Sequence, residues 1–241
     1  MDYTVSLQGV SKAFGKNTVL KNIDFNSESG NIYGLIGPSG AGKTTIIKMI
    51  VGMDAADQGS VYLLDKKMPN LGILQQIGYM AQSDALYTAL TGKENLQFFA
   101  SLYKLSKKER AERLEYTANL VNLTSELGKK VSAYSGGMKR RLSLAIALIQ
   151  NPEVLILDEP TVGIDPQLRQ TIWNELVRLK NEEDKTIIVT THVMEEAEKC
   201  DSISMVREGV IIANGTPSGL KKLYSADTLD GVFLQAGSEM K

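Results

Sequence analysis

A single cysteine, Cys200, occurs in 241 residues, so the chain closes no internal disulfide, and such sparing use fits a reducing cytosol. Apolar runs are short, Val154–Leu157 among the longest, and none approaches the length that crosses a bilayer. The opening Met1-Asp2-Tyr3-Thr4 lacks a basic segment followed by an apolar one, so no secretory signal is expected. Neither sign of charge dominates. Lys and Arg number 27 against 28 Asp and Glu, which excludes recognition by an overall basic field; no nucleic acid is expected as a partner. Low-complexity tracts, long linkers and internal repeats are also missing, which limits the chain to one copy of each motif. What is present, 43% hydrophobic and 23% charged residues, is the balance of a globular protein rather than a disordered or fibrous one.

The first sixty-odd residues read as strands. Val5, Leu7, Val19, Ile23 and Phe25 alternate between turns at Gly15-Lys16-Asn17 and Ser29-Gly30-Asn31. Ile32–Ile36 is a short apolar strand, and helical spacing follows from Lys43 to Val51. Between about Thr91 and Gln150 the pattern turns helical, with Leu96, Phe99, Ala100 and Tyr103 recurring at helical intervals, as do Leu114, Ala118 and Val121. The dense charge from Lys104 to Glu115 reads as a solvated face. After Asn151-Pro152 strands and helices alternate again: strand Val154–Leu157, a helix from Pro166 to Leu179 capped by Asp165, and strands Thr186–Thr191 and Ile203–Val206. The spacing predicts an α/β core carrying a helical insertion.

Two segments carry phosphate chemistry. Gly37-Pro38-Ser39-Gly40-Ala41-Gly42-Lys43-Thr44 matches G-x-x-x-x-G-K-[ST] where that motif has to lie, after an apolar strand and opening a helix. Glycines let successive N–H groups point at phosphate oxygens, Lys43 reaches the β- and γ-phosphates, and the Thr44 hydroxyl suits Mg²⁺. Asp158 and Glu159 end the strand Val154–Leu157, at the edge where open α/β sheets bind ligands. Asp158 is expected to hold Mg²⁺ or its water, and Glu159, one residue on, to accept a proton from attacking water. A GTPase is disfavoured because no N-K-x-D motif is present. A small-molecule kinase explains the loop but not the segment Tyr134-Ser135-Gly136-Gly137-Met138-Lys139-Arg140-Arg141. There Ser135 can cap a helix whose first N–H groups, beside Gly136 and Gly137, stay open to an anion.

That segment resembles the signature of the ATP-binding cassette family, and the resemblance covers nearly the whole chain with every element in order. It implies a P-loop NTPase (RecA-like) α/β core with an N-terminal antiparallel β subdomain and a helical signature subdomain. The single domain, 1–241, divides into core (1–88 and 151–224), helical subdomain (89–150) and a C-terminal tail (225–241). Phe14 is similar to the aromatic that stacks on adenine, and Gln82 to the glutamine that senses Mg²⁺ and links to the membrane partner. His192 matches the switch histidine at the γ-phosphate, and Gly163-Ile164-Asp165 the dimer-contacting loop. The implied ATP site spans Gly37 to Thr44 with Thr45, and includes Ser135, Gly136, Gly137 and Asp165; Mg²⁺ falls to Thr44, Gln82 and Asp158, and catalysis to Glu159, His192, Gln82 and Lys43.

In this family the signature reaches the γ-phosphate on the opposite subunit. One loop and one signature therefore imply an ATP-dependent dimer, most simply with an identical chain. Tyr134 and Met138 replace the usual Leu and Gln, a form that looks like the exporter branch, whose permeases are separate membrane chains. Leu229-Asp230-Gly231-Val232-Phe233-Leu234 is similar to a short docking segment of that branch. The implied function is to hydrolyse ATP and power export at the cytoplasmic face of the membrane. The alternative, a cassette ATPase acting on nucleic acid or ribosomes, usually needs two cassettes or a coiled-coil insertion, and this chain has neither.

Overall fold

Alternation of buried and exposed side chains builds the first two strands. β1 (Tyr3–Phe14) and β2 (Asn17–Glu28) form an antiparallel hairpin that buries Val5, Leu7, Ile23 and Phe25 on one face. The computed structural model describes residues 3–83 and 85–238. β3 (Ile32–Ile36) runs through the glycine-rich loop into α1 (Lys43–Ile50), and β4 (Gln58–Leu63) and β5 (Lys66–Lys67) return to the hairpin. β6 (Ile77–Met80) precedes three helices with no named strand between them: α2 (Gly92–Ser101), α3 (Lys107–Leu120) and α4 (Gly136–Ala147). α2 and α3 each start on a capping box, Thr91 with Glu94 and Ser106 with Glu109. The chain then gives β7 (Val154–Asp158), α5 (Pro166–Glu183), β8 (Thr186–Thr191), α6 (Met194–Ala197), β9 (Ser202–Arg207), β10 (Val210–Gly215), α7 (Pro217–Leu223) and α8 (Leu229–Ser238).

Two sheets result, a four-stranded antiparallel one ordered β2-β1-β4-β5 and a six-stranded one ordered β10-β9-β3-β8-β7-β6. From β9 to β6 neighbouring strands are parallel; β10 alone is antiparallel to its neighbour. Both faces of the larger sheet are covered, which is why its central strands read as unbroken apolar runs. Ile32, Ile36, Leu155, Leu157, Ile187 and Val189 share a core with α4 and α5. The intervening Tyr33, Leu35, Val154, Ile156 and Ile188 pack with α1 and the antiparallel sheet. Because β3, β8, β7 and β6 are adjacent and parallel, the loops leaving their C-terminal ends emerge along one edge.

Two segments differ from the sequence reading. α5 runs on from Leu179 to Glu183, where Arg178 pairs with Glu175, Glu182 and Glu183 across the last turns. The C-terminal tail is helical from Leu229, burying Leu229, Val232 and Ala236 against its own chain while Leu234 stays exposed; residues 239–241 lie outside the described residues.

The helical block meets the sheet where a side chain will not fit. A Cβ on Gly78 in β6 would sit 2.1 Å from the Ala147 carbonyl oxygen at the end of α4 and 2.7 Å from Pro152. Gly78→Ala is therefore expected to lower the unfolding free energy by about 1–3 kcal/mol, read from urea denaturation. Gly128→Ala, whose new methyl meets nothing within 4 Å, is the control and should leave the midpoint in place.

Candidate functional site

The loop from Gly37 to Thr44 wraps tightly. Gly37 approaches β9 so closely that a Cβ would lie 2.1 Å from the Val206 carbonyl oxygen, and Gly42, at φ +112°, caps α1 in a conformation that side chains disfavour. No side chain caps α1, so its first N–H groups are left for another acceptor. Lys43 folds back across the loop, its Nζ donating to the carbonyls of Gly37 at 2.7 Å and Pro38 at 3.0 Å. Burial pulls its ammonium below the ordinary lysine pKa, and the facing carboxylates of Glu159 and Asp158 pull it back up.

Opposite the loop stands the end of β7. Asp158 is fully buried; one carboxylate oxygen accepts from the Thr190 hydroxyl on β8, and the other, Oδ2, has no hydrogen-bond partner among the described residues. Glu159 follows in the left-handed region, φ +52°, held there by its N–H donating to the Thr190 hydroxyl at 3.0 Å and carbonyl at 3.2 Å. Its Oε1 lies 3.2 Å from Nδ1 of His192, which follows β8. A cavity of about 200 Å³ is lined by Ser39, Gly40, Gly42, Lys43, Thr44 and Thr45 from the loop, with Gln82 from the exit of β6, Glu159 and Val19.

Not every expected residue lines it. Phe14, at the end of β1, is half exposed with the Lys12 ammonium 5.4 Å from its ring centre. Ser135 caps α4, accepting from the Met138 N–H at 3.2 Å, and Asp165 caps α5, accepting from the Leu168 N–H at 3.0 Å. Gly137 abuts the loop before α5, where a Cβ would stand 3.0 Å from the Gly163 carbonyl oxygen. Ser135, Gly136, Gly137, Asp165 and Phe14 are thus all outside the cavity of their own chain, and Gly37, Pro38, Ala41, the buried Asp158 and His192 do not line it either, His192 meeting it through Glu159.

The sequence reading missed Arg140. Its buried guanidinium donates to the carbonyls of Ala81 and Gln82 at 2.7 and 2.9 Å, and to those of Asp158 and Glu159, so α4 grips the exits of β6 and β7 together. Within the run Lys139-Arg140-Arg141 it resembles a solvated charge. The available signal was spacing: 140, 144 and 147 share the buried stripe of α4.

Residues 20–162 match the family model described as ABC transporter. The linearmycin resistance ATP-binding protein LnrL of Bacillus subtilis (strain 168) is 43% identical over 92% of this chain and 72% of its own length. The Nod factor export ATP-binding protein I of Burkholderia lata is 40% identical over 90% of this chain and 72% of its own. A solved dimeric ATP-binding cassette, in a post-hydrolysis state with ADP and Pi, superposes with a TM-score of 0.81 at 28% identity, covering 88% of this chain and 98% of that one.

Arg140→Lys keeps the charge and loses the planar fork that spans separate carbonyls. The expected result is a loss of about 1–3 kcal/mol of unfolding free energy, seen as a lower urea midpoint at unchanged slope. An unaltered midpoint would show that those carbonyls do not need the guanidinium.

Proposed function

The chain belongs to the ABC transporter family, and from that premise we propose that two copies of it close on ATP to drive export through a separate membrane permease. It is an ATP-binding and ATP-hydrolysing subunit of that family. The observation that carries the proposal is the convergence of the Gly37–Thr45 loop, Gln82 and Glu159 on one cavity, with His192 in contact with Glu159.

The triphosphate of ATP lies in the loop, met by the N–H groups of Ser39, Gly40, Ala41, Gly42, Lys43, Thr44 and Thr45. Lys43 exchanges its contacts with the Gly37 and Pro38 carbonyls for phosphate oxygens, which neutralise it better than dipoles do. Thr44, Gln82 and Asp158 would hold Mg²⁺, a fit supported by the Asp158 Oδ2 that has no partner among the described residues and by a wholly oxygen donor set, and Mg²⁺ held there would supply positive charge against the phosphates. Glu159 takes a proton from the water that attacks the γ-phosphorus, the bond to the bridging oxygen breaks, and ADP leaves with the electron pair. His192 holds Glu159 on one side and the γ-phosphate on the other. Phe14 stacks on adenine. Ser135, Gly136, Gly137 and Asp165, which lie outside their own chain's cavity, serve the nucleotide of the second copy.

The permease has an apolar place to dock. Leu71 and Met53 are 83% and 65% exposed, and with Leu74, Tyr79, Phe99 and Tyr103 they line a groove of about 400 Å³ between β6 and α2. An adjoining hollow is lined by Met80 and by Ala81 and Ser83, the neighbours of Gln82 in the chain. On α8 only the outward side, Leu234 above all, is left for docking. Among the described residues no helix is long and apolar enough to cross a membrane; the relatives named as ATP-binding proteins of resistance and export systems support a peripheral subunit on the cytoplasmic face.

Glu159→Gln is expected to bind ATP with affinity within about threefold of the parent while hydrolysis falls by about 100-fold or more. Parental turnover in that variant would sink the catalytic assignment. On gel filtration the same variant should pass from monomer to dimer when Mg-ATP is added; elution unmoved by ATP, with and without the permease, would overturn the two-copy reading. Lys43→Ala should weaken ATP binding by about tenfold or more, measured by isothermal titration calorimetry.

A further inference from the structure

We infer that Glu196 is a positioning residue for hydrolysis: its buried carboxylate ties the segment that follows Glu159 to the segment that carries His192, and so holds those two side chains in contact. The inference rests on the ATPase reading above and adds a residue that touches neither nucleotide nor reacting water.

Glu196 lies on the short helix α6 and is 3% exposed. One of its oxygens accepts from the Thr161 hydroxyl, and the other from the Thr191 hydroxyl at 2.7 Å. Thr161 stands two residues after Glu159, and Thr191 immediately precedes His192. Both threonines are buried. A ring therefore closes from Glu159 through Thr161, Glu196 and Thr191 to His192, and its last link is the 3.2 Å contact between His192 Nδ1 and Glu159 Oε1. Arg169 on α5 extends the tie: its Nε lies 3.9 Å from the Glu196 carboxylate, and its Nη2 donates to the Ile164 carbonyl at 3.3 Å.

The chemistry explains a carboxylate here. Burying one is unfavourable unless it is well hydrogen-bonded. The two threonine hydroxyls reach different atoms, Oε1 and Oε2; a carboxylate presents an acceptor at both positions, whereas an amide presents an acceptor at one and a donor at the other. The Thr191 oxygen also accepts from the Val193 N–H at 3.0 Å, which fixes that hydroxyl's place beside Glu196. Hydrogen bonds to a charged acceptor are short and directional, as a fixed spacing between two loops requires.

A purely structural tie and a positioning tie separate in two readouts. The tag-free chain has one histidine, so the His192 imidazole gives a single Cε1–H signal that can be followed by NMR without nucleotide. Glu196→Ala is expected to shift that signal and to lower kcat by about 10- to 100-fold, with KM and ATP affinity held within about threefold. Thr161→Val should reproduce part of the loss and Thr161→Ser should restore it, which keeps the test available if Glu196→Ala folds poorly. An unmoved His192 signal with parental kcat per folded molecule overturns the inference, as does a loss of ATP affinity in step with kcat. A parent chain that hydrolyses ATP while Glu159→Gln is silent upholds the ATPase reading whatever Glu196 does. A parent that fails to hydrolyse removes that reading, and the His192 signal still reports on the tie.

Discussion

One carboxylate that water does not reach sets the terms for everything around it. Asp158 is fully buried at the end of β7, and its Oδ2 has no hydrogen-bond partner among the described residues. A buried charge left half satisfied is among the more unfavourable arrangements in a protein, and it persists only where the surroundings force it. Here they do. The parallel pairing of β7 with β8 sets Asp158 against Thr190, whose hydroxyl takes one oxygen and whose oxygen in turn receives the Glu159 N–H. Lys43, folded over its own loop, faces the same carboxylates without neutralising them by contact. In the proposed reading a cation carried by the phosphates would take up the unused lone pairs of Oδ2, and ligand binding and fold stability would be linked at this atom.

The sheet order turns that local demand into a site. β3, β8, β7 and β6 lie side by side and run the same way, so the phosphate loop, His192, Glu159 and Gln82 leave the sheet along one edge in that order. Residues far apart in sequence thereby become neighbours without long reaches. Arg140 adds a grip from outside the sheet, reading the carbonyls at the exits of both β6 and β7 with one rigid group. Its position on α4, the helix that Ser135 caps, ties the placement of that helix to the backbone that carries Gln82 and Glu159. The apolar groove proposed for the permease is lined by Ile77 and Tyr79 of the same strand, whose exit Arg140 holds.

What could be read from the sequence follows from range of interaction. The phosphate loop and the Asp158–Glu159 pair are written in consecutive residues, because a turn and a strand end each solve their problem locally. The apolar runs of β3, β7 and β8 were legible for the same reason: strands buried on both faces need no polar alternation. Arg140, Thr190 and Glu196 were not legible. Each acts through groups on other elements, Arg140 on residues 58 and 59 positions away, and in the sequence each looks like an ordinary surface residue. The short elements β5 and α6 escaped too, since two and four residues carry no period. In the segment likened to a docking element, the tertiary fold takes Leu229 and Val232 into its own core and leaves Leu234 exposed, a division the sequence does not show.

The placement of the signature is what the two-copy proposal rests on. α4 begins at Gly136 with its cap supplied by Ser135 alone, so the positive end of a twelve-residue helix is satisfied by one hydroxyl oxygen. Such an end draws an anion, yet none of Ser135, Gly136 or Gly137 lines the cavity of its own chain. Gly137 instead packs against Gly163, in the loop that runs from Glu159 to the start of α5. In the proposed dimer that contact has a consequence. A phosphate from the second copy, drawn to the start of α4, would sit beside Gly137, which abuts Gly163, and Gly163 belongs to the segment whose Thr161 is bound by Glu196. The Gly137–Gly163 approach and the Glu196 ring thus join, within one chain, the helix end proposed to meet the partner's nucleotide and the Glu159–His192 pair.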